Sequence, residues 1–290
     1  MYKRLDEIPE YCCRWAPTLG ALEDSHEKVW GTKTYDPVTD RDKPTVFFGL
    51  YGLPDWYELW NHVRAGGKAY ILWAGSDITH FVNGYWLDRT GTIKLDPKAF
   101  GQWINKYCES YVENSVEHAA LLDLGIDAYV VPSFLGPITG YPQSYQHSDK
   151  PKLYTSVSGD NFELYGWNEL PTLALAHPDI EFHLYGSDHE WPKYLQKNWP
   201  NLINHGRVPK EVMNAEIATM QGAIRLTKMD GFSEILAKSI LMEQYPVSHI
   251  PYPHILKVDQ IGMLHSLKEP NVSGREHYQK ILNQYPWNQK

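Results

Sequence analysis

The sequence predicts an α/β chain made of two parallel-sheet halves. Three observations carry this expectation. Short apolar runs alternate with helical patterns along most of the chain, and parallel strands need crossover connections that helices usually supply. A length of 290 residues fits about two domains at roughly 100–200 residues each. Residues 136–150 (GPITGYPQSYQHSDK) interrupt the alternation with Gly, Pro and polar residues, the texture of an inter-domain linker.

The elements follow in order. Residues 45–51 (TVFFGLY) read as a buried strand, β-branched and aromatic between Pro44 and Gly52. Residues 55–64 read as a helix closed by Gly66-Gly67, 68–73 (KAYILW) as a second strand and 109–113 as a short third. Ser115 is expected to cap a helix that runs to Leu124 and ends at Gly125; 127–131 is a fourth strand, stopped by Pro132. Past the linker, 152–157 is a strand. A helical region then reaches His177, with Pro171 marking a late start or a kink. Strands at 180–185 (IEFHLY), 202–205, 223–227 (AIRLT) and 246–249 alternate with helices at 209–220, led by a proline, and 233–244. Residues 274–285 form a closing helix. The expected domains are 1–140 and 151–272, with 141–150 between them and 273–290 packing back on the first.

Composition narrows the function classes. Hydrophobic residues at 42% and charged residues at 21% describe a folded chain rather than a disordered one. A net charge of -8 and a pI near 5.9 leave no basic excess for a general nucleic-acid surface, so nucleic acid is not the expected partner unless a local basic groove exists. Three cysteines, two of them adjacent (Cys12, Cys13), make no disulfide framework and fit a reducing compartment. Apolar runs such as 46–50 fall far below the roughly 20 residues of a membrane span. The opening MYKRLDEIPEYCCRW carries acids and a proline and lacks an apolar signal core. The expected location is the cytoplasm, with peripheral membrane contact left open. Eleven tryptophans and 20 tyrosines supply core packing first, and flat faces for stacking on sugars or bases second.

Two sheets of this kind make two Rossmann-like halves facing a cleft, and in such sheets ligands bind beyond the carboxyl ends of the strands. That rule directs attention to 74–80, 158–161, 186–188, 206–208 and 228–233. In the first half, Gly75 lets backbone approach a ligand, Ser76 and Asp77 offer hydrogen-bond acceptors, and His80 offers proton transfer. The competing assignment is that Ser76 or Asp77 caps a helix starting at Ile78. In the second half, Ser158 and Gly159 form a turn whose following helix amides suit a phosphate, although Asp160 repels one. Gly186 closes a strand. Arg207 beside Gly206 and Val208 suits a diphosphate or, equally, a surface ion pair. The densest cluster is Arg225-Leu226-Thr227-Lys228-Met229-Asp230-Gly231-Phe232-Ser233: a strand ends in a cation, an acid, a glycine and a serine, and a helix follows. Its purely structural alternative is a helix capped by Asp230 or Ser233 with Glu234 and Lys238 as an i,i+4 pair. His183, His189 and His205 make no compact ligand set and no CxxC occurs, so no metal is expected. GxSxG, Walker A and GxGxxG patterns are all absent from the sequence.

The second half resembles the donor-binding half of GT-B glycosyltransferases, in particular their large retaining family. The resemblance runs through Tyr165-Gly166-Trp167, His177-Pro178-Asp179-Ile180 to Tyr185-Gly186, Leu202 with His205-Gly206-Arg207-Val208-Pro209, and the 225–233 cluster followed by Pro246-Val247. In order and spacing these are similar to that family's pd-x-x-l-x-x-G, G-x-v-p and s-x-x-E-G-f…G-x-P-V stretches. Trp73-Ala74-Gly75-Ser76-Asp77 is similar to its H-G-S-D loop. The resemblance implies a nucleotide-sugar donor as substrate and no cofactor or metal. It implies that Gly206, Arg207 and Val208 line the base. Ser158, Gly159, Gly186, Lys228, Asp230 and the amides of Gly231, Phe232 and Ser233 would serve the sugar and diphosphate. The acceptor, a glycan, lipid-linked sugar or other hydroxyl compound, would sit near Gly75, Ser76, Asp77 and His80. Four positions depart from the family: Asp230 replaces its first glutamate, Lys238 its second, and Asp160 and Tyr165 replace basic residues of its diphosphate contacts. The expected activity is metal-independent, retaining sugar transfer, with Asp77, His80 and Asp230 as catalytic candidates. The alternatives are a non-catalytic nucleotide- or glycan-binding protein of the same fold, or a nucleotide-sugar epimerase.

Overall fold

The computed structural model describes residues 11–14, 32–82, 96–132 and 138–284, with 11–14 and Gln284 described by backbone alone. The chain forms two compact units. One is Met1–Leu135 with Met229–Phe232 and Ile281–Lys290; the other is Gly136–Lys228 with Ser233–Lys280.

The first unit is built on six parallel strands: β1 (Tyr11–Arg14), β2 (Lys33–Thr34), β3 (Thr45–Phe48), β4 (Ala69–Leu72), β5 (Cys108–Val112) and β6 (Tyr129–Val130). Their order in the sheet is β2-β1-β3-β4-β5-β6. All four residues of β3 and all four of β4 are buried, as expected of a parallel sheet covered on both faces. Its helices are α1 (Leu53–Arg64), α2 (Ser76–Val82), α3 (Pro97–Tyr107) and α4 (Ser115–Leu122). Trp56 and Leu59 of α1, Ile71 of β4 and Trp73 just after it, Phe81 of α2 and Ile104 of α3 share one core. Local chemistry fixes the helix starts. The Asp55 carboxylate accepts the Tyr51 and Gly52 amides at 2.5 and 2.9 Å to open α1. Asp96 accepts the Lys98 amide at 3.0 Å with Pro97 as the first helical residue of α3. The cap of α4 is Asn114, not Ser115: its Oδ1 accepts the Val116 and Glu117 amides at 3.0 Å each, while Ser115 is already helical.

The second unit holds β7 (Lys152–Ser156), α5 (Leu170–Ala176), β8 (Glu181–Tyr185), α6 (Glu190–Asn198), β9 (Leu202–Gly206), α7 (Lys210–Ile217), β10 (Gly222–Arg225), α8 (Glu234–Leu241), β11 (Val247–Ser248), β12 (Leu256–Lys257) and α9 (Val272–Gln284). A six-stranded parallel sheet runs β12-β11-β10-β7-β8-β9. Counted from β7 this is the 3-2-1-4-5-6 order of a nucleotide-binding sheet, and the direction of winding reverses between β7 and β10. The core is set by Leu153, Trp167, Phe182, Leu184, Ile224 and Val247. Every residue of α8 from Ile235 to Leu241 is buried. Pro171 marks a late start: residues 159–160 and 162–166 form turns, Trp167–Glu169 form one turn of 3-10 helix, and α5 begins with proline in its first turn. The helix expected directly after Gly159 is therefore absent there. Tyr285, the last residue of the expected closing helix, lies outside the described residues.

The expected α/β class, with two parallel sheets of Rossmann-like type, is the class observed.

Candidate functional site

At the carboxyl ends of β3, β4 and β5 in the first unit, Asp77 is completely buried. Its Oδ1 accepts the Ala74 amide at 3.0 Å and the Ile78 amide at 2.9 Å, and its Oδ2 accepts the Leu50 amide at 3.0 Å. One carboxyl thus ties the loop after β3 to the loop after β4. Burial pushes its pKa up to about 7 against the pull of those amides. The hydroxyl-accepting role expected of Asp77 meets oxygens already given to backbone donors, and the capping alternative is corrected as well: α2 starts at Ser76 rather than Ile78, so Ser76 and Asp77 lie within its first turn. His80 is half-buried, its ring 6.2 Å from that of Tyr51, and burial lowers its pKa. Tyr51 is held by Ser76. Burial, then the charges of Asp77, Glu113 and Asp230, raise its phenol pKa.

The 229–232 loop belongs to this unit. Gly75 has a φ of 84°, and a Cβ there would lie 2.9 Å from Asp230 Cα and from the Gly231 nitrogen, so only glycine fits. Asn114 Nδ2 donates to the Asp230 carbonyl at 2.7 Å. Glu113 Oε2 accepts the Phe232 amide. The Phe232 N–H, expected on the donor diphosphate, is therefore given to a carboxylate of the same unit. Glu117 is also fully buried and accepts the Glu113 amide at 2.7 Å; burial and then Glu113 push its pKa well above the usual carboxyl range.

In the second unit the ends of β7, β8 and β9 converge. The Ser187 hydroxyl donates to Asp160 Oδ1 at 2.6 Å, the Arg207 amide to Asp188 Oδ1 at 3.0 Å, and the Gly186 amide to the Gly206 carbonyl at 2.8 Å. Ser158, Gly159 and Arg207 are exposed around this junction, and Val208 is half-buried. Beside it an open groove of about 830 Å³ is lined by Asp160, Phe162, Glu163, His189 and Trp191, among others. Phe162 stands 4.9 Å from Trp191, centroid to centroid.

At the end of β10 the Arg225 guanidinium lies 4.2 Å over the Tyr165 ring. Gly166 packs so tightly on Leu226 that a Cβ would sit 2.5 Å from its carbonyl oxygen. Lys228 is exposed, with Nζ 3.4 Å from Glu169 Oε1, while His249 Nε2 lies 2.8 Å from Glu169 Oε2. Ser233 is the residue preceding α8 and makes no side-chain cap. Lys238 is buried, 2.8 Å from Glu234 and 3.4 Å from Asn214 Oδ1, so the i,i+4 pair forms.

The histidines separate. His183 Nδ1 and His205 Nε2 are 2.8 Å apart, with His205 stacked 4.3 Å from Tyr185, whereas His189 accepts the Trp191 amide. Burial, then His205, lowers the His183 pKa to about 4. Among the described residues no group of three or more His, Cys, Asp or Glu is placed to hold a metal ion, and no helix is long and apolar enough to cross a membrane.

Sequence reasoning missed Tyr51, Glu113, Asn114 and Glu169. Of these only Asn114 follows an expected strand, 109–113, where the strand-end rule applied to every strand would have found it; Tyr51 and Glu113 were read as the last residues of strands that in fact end at Phe48 and Val112, and nothing local marks Glu169.

No family model matches the chain, and no curated protein matches it in sequence. Solved structures do match in fold. HepE of Anabaena, solved in complex with UDP-glucose, is 9% identical with a TM-score of 0.58 over 97% of this chain and 98% of its own. Sucrose-phosphate synthase of Thermosynechococcus elongatus is 10% identical, TM-score 0.55, over 92% and 73%. TarM of S. aureus, in complex with fondaparinux, alpha-GlcNAc-glycerol and UDP, is 13% identical, TM-score 0.52, over 83% and 51%. The chain spans about half the length of TarM. Its fold is of the GT-B type.

Proposed function

We propose that the chain is a glycosyltransferase that moves a sugar from a nucleotide-sugar donor to a hydroxyl acceptor, with retention and without a metal. The observation that carries this reading is the sheet of the second unit. Its winding reverses between β7 and β10, and the ends of those two strands bear the polar residues of the resemblance. The fold likeness over nearly the whole of both chains to HepE, which was solved with UDP-glucose, supports it.

In this reading Ser158, Gly159, Gly186, Arg207 and Val208 serve the nucleotide. Lys228 and Arg207 neutralise the departing diphosphate, and Asp230 with Gly231 and Ser233 orients the sugar. His80 faces the acceptor with Gly75 and Ser76. Asp77 acts through the two loops it joins, as a positioning group. Retention follows from front-face displacement, in which the donor phosphate takes the acceptor proton. The acceptor is a glycan, a lipid-linked sugar or another hydroxyl compound, and the protein works in the cytoplasm.

A second reading, nucleotide or glycan binding without turnover, draws on two observations. Lys238 is committed to Glu234, and Asp160 to Ser187. A thermal-shift screen with UDP, GDP, ADP, CMP and their sugar conjugates separates them from no function at all. A ligand at 100 times its Kd stabilises the native state by about 2.7 kcal/mol. A selective shift followed by sugar transfer supports the enzyme; a selective shift without transfer supports the binder; no shift with any nucleotide overturns both donor-based readings.

A further inference from the structure

We propose that Glu113 and Asn114, at the carboxyl end of β5, are positioning residues that latch the 230–232 loop and thereby aim the Asp230 carboxylate; the inference rests on the role given to Asp230 above. The loop joins a strand to a helix, yet its backbone is held by the first unit. Two side chains do the holding. Glu113 Oε2 accepts the Phe232 amide, a charge-assisted bond to backbone. Asn114 Nδ2 donates to the Asp230 carbonyl at 2.7 Å. The two bonds flank Gly231, so the Asp230–Gly231 and Gly231–Phe232 peptide groups are both fixed, directly after the Asp230 side chain.

The latch is itself rigidly mounted. Asn114 Oδ1 is spent on the Val116 and Glu117 amides at the start of α4, so the side chain that caps the helix also grips the loop. Buried Glu117 fixes the Glu113 backbone by accepting its amide at 2.7 Å. The space is closed on both sides. A Cβ at Gly231 would fall 2.0 Å from Glu113 Oε2, and one at Gly75 would fall 2.9 Å from Asp230 Cα. The glycines are where they are because the latch leaves room for nothing larger. A carboxylate aimed at a sugar hydroxyl gains from such a mount, because small displacements of a reacting group cost rate out of proportion to their size.

The test uses the full chain and reads the latch separately from turnover. Amide exchange at Phe232, followed by NMR, should speed up on the order of 10- to 100-fold in Glu113→Ala, the range for losing a charged acceptor. Glu113→Gln keeps an acceptor oxygen of the same reach and should restore most of the protection. Glu113→Asp keeps the charge, loses the reach, and should behave like Ala; it stands in if the Ala variant does not fold. With the nucleotide sugar found by the screen, kcat should fall at least 10-fold in Ala and Asp, recover in Gln, and KM for the donor should move by less than about threefold. Unchanged Phe232 exchange in Ala and Asp overturns the latch. Faster exchange with unchanged kcat overturns the positioning role. If the wild-type chain transfers nothing, the functional reading fails and the aiming of Asp230 fails with it, and the exchange data then stand for the latch alone.

Discussion

Asp77→Asn is the perturbation that most directly tests how the first unit is held together. The wild-type carboxyl has no exposed surface and three backbone donors, and burial wins: its pKa rises from 3.8 to about 7. The folded state therefore keeps a proton that the unfolded chain releases above about pH 4. Stability from this group is complete below the unfolded pKa and falls as pH rises towards 7. Three pH units at 1.36 kcal/mol each make a loss of about 4 kcal/mol between pH 4 and pH 7. Asparagine does not titrate. Its Oδ1 can keep the Ala74 and Ile78 amides, but its NH2 then faces the Leu50 amide, leaving a buried donor unpaired at a cost of about 1–3 kcal/mol.

The variant should thus be the less stable protein at pH 4.5 and should match or exceed wild type near pH 7. Urea unfolding followed by tryptophan fluorescence, with linear extrapolation at several pH values, measures both. Taking the difference between the two proteins cancels the other titrating groups, among them His183, whose lowered pKa gives a slope of the opposite sign between about pH 4 and 6.5. The gap should change by about 2–3 kcal/mol from pH 4.5 to 6.5. A constant gap, or one that widens in favour of wild type as pH rises, would mean that the three amides outweigh burial and that Asp77 is ionised in the fold.

Four further outcomes follow from the same geometry. Asp230→Ala should cut transfer at least about 100-fold while shifting Tm by less than about 4 °C, measured side by side; a collapse of Tm would favour a purely structural loop. Gly75→Ala should cost more than about 1 kcal/mol by urea unfolding, because its φ of 84° and the Asp230 backbone 2.9 Å away both exclude a methyl group. Lys238→Glu, which restores the glutamate of the resemblance, should lower Tm by more than about 4 °C, since it sets a second carboxylate against Glu234 in a buried place; an unchanged Tm would show that Lys238 is not needed there. EDTA should leave transfer intact, and a loss reversed by a divalent cation would overturn metal independence.

The sequence alone determined the class and the coarse winding of this chain. Strands such as β3 and β4 are continuous apolar runs between breakers because both their faces are buried, and that signal is local. The proline starts of α5 and α7 and the Glu234–Lys238 pair were legible for the same reason: each depends on residues within one helical turn. The short edge strands β2 and β12 escaped notice, since two residues carry no periodicity. Helix α3 was missed although Asp96-Pro97 is a good start signal, and Asn114 lost the cap to its neighbour Ser115 because both residues are competent and only the backbone angles choose. What the tertiary structure decided is the state of each polar side chain. Asp77 looked like an available acceptor, but the loop after β3, 27 residues away in sequence, brings the Leu50 amide to its Oδ2. Phe232 looked like a donor for diphosphate, but Glu113, 119 residues away, takes its amide. A residue type sets what hydrogen bonds a side chain can make. Which of them it does make depends on partners that the fold alone brings within 3 Å, and burial then fixes the charge that remains.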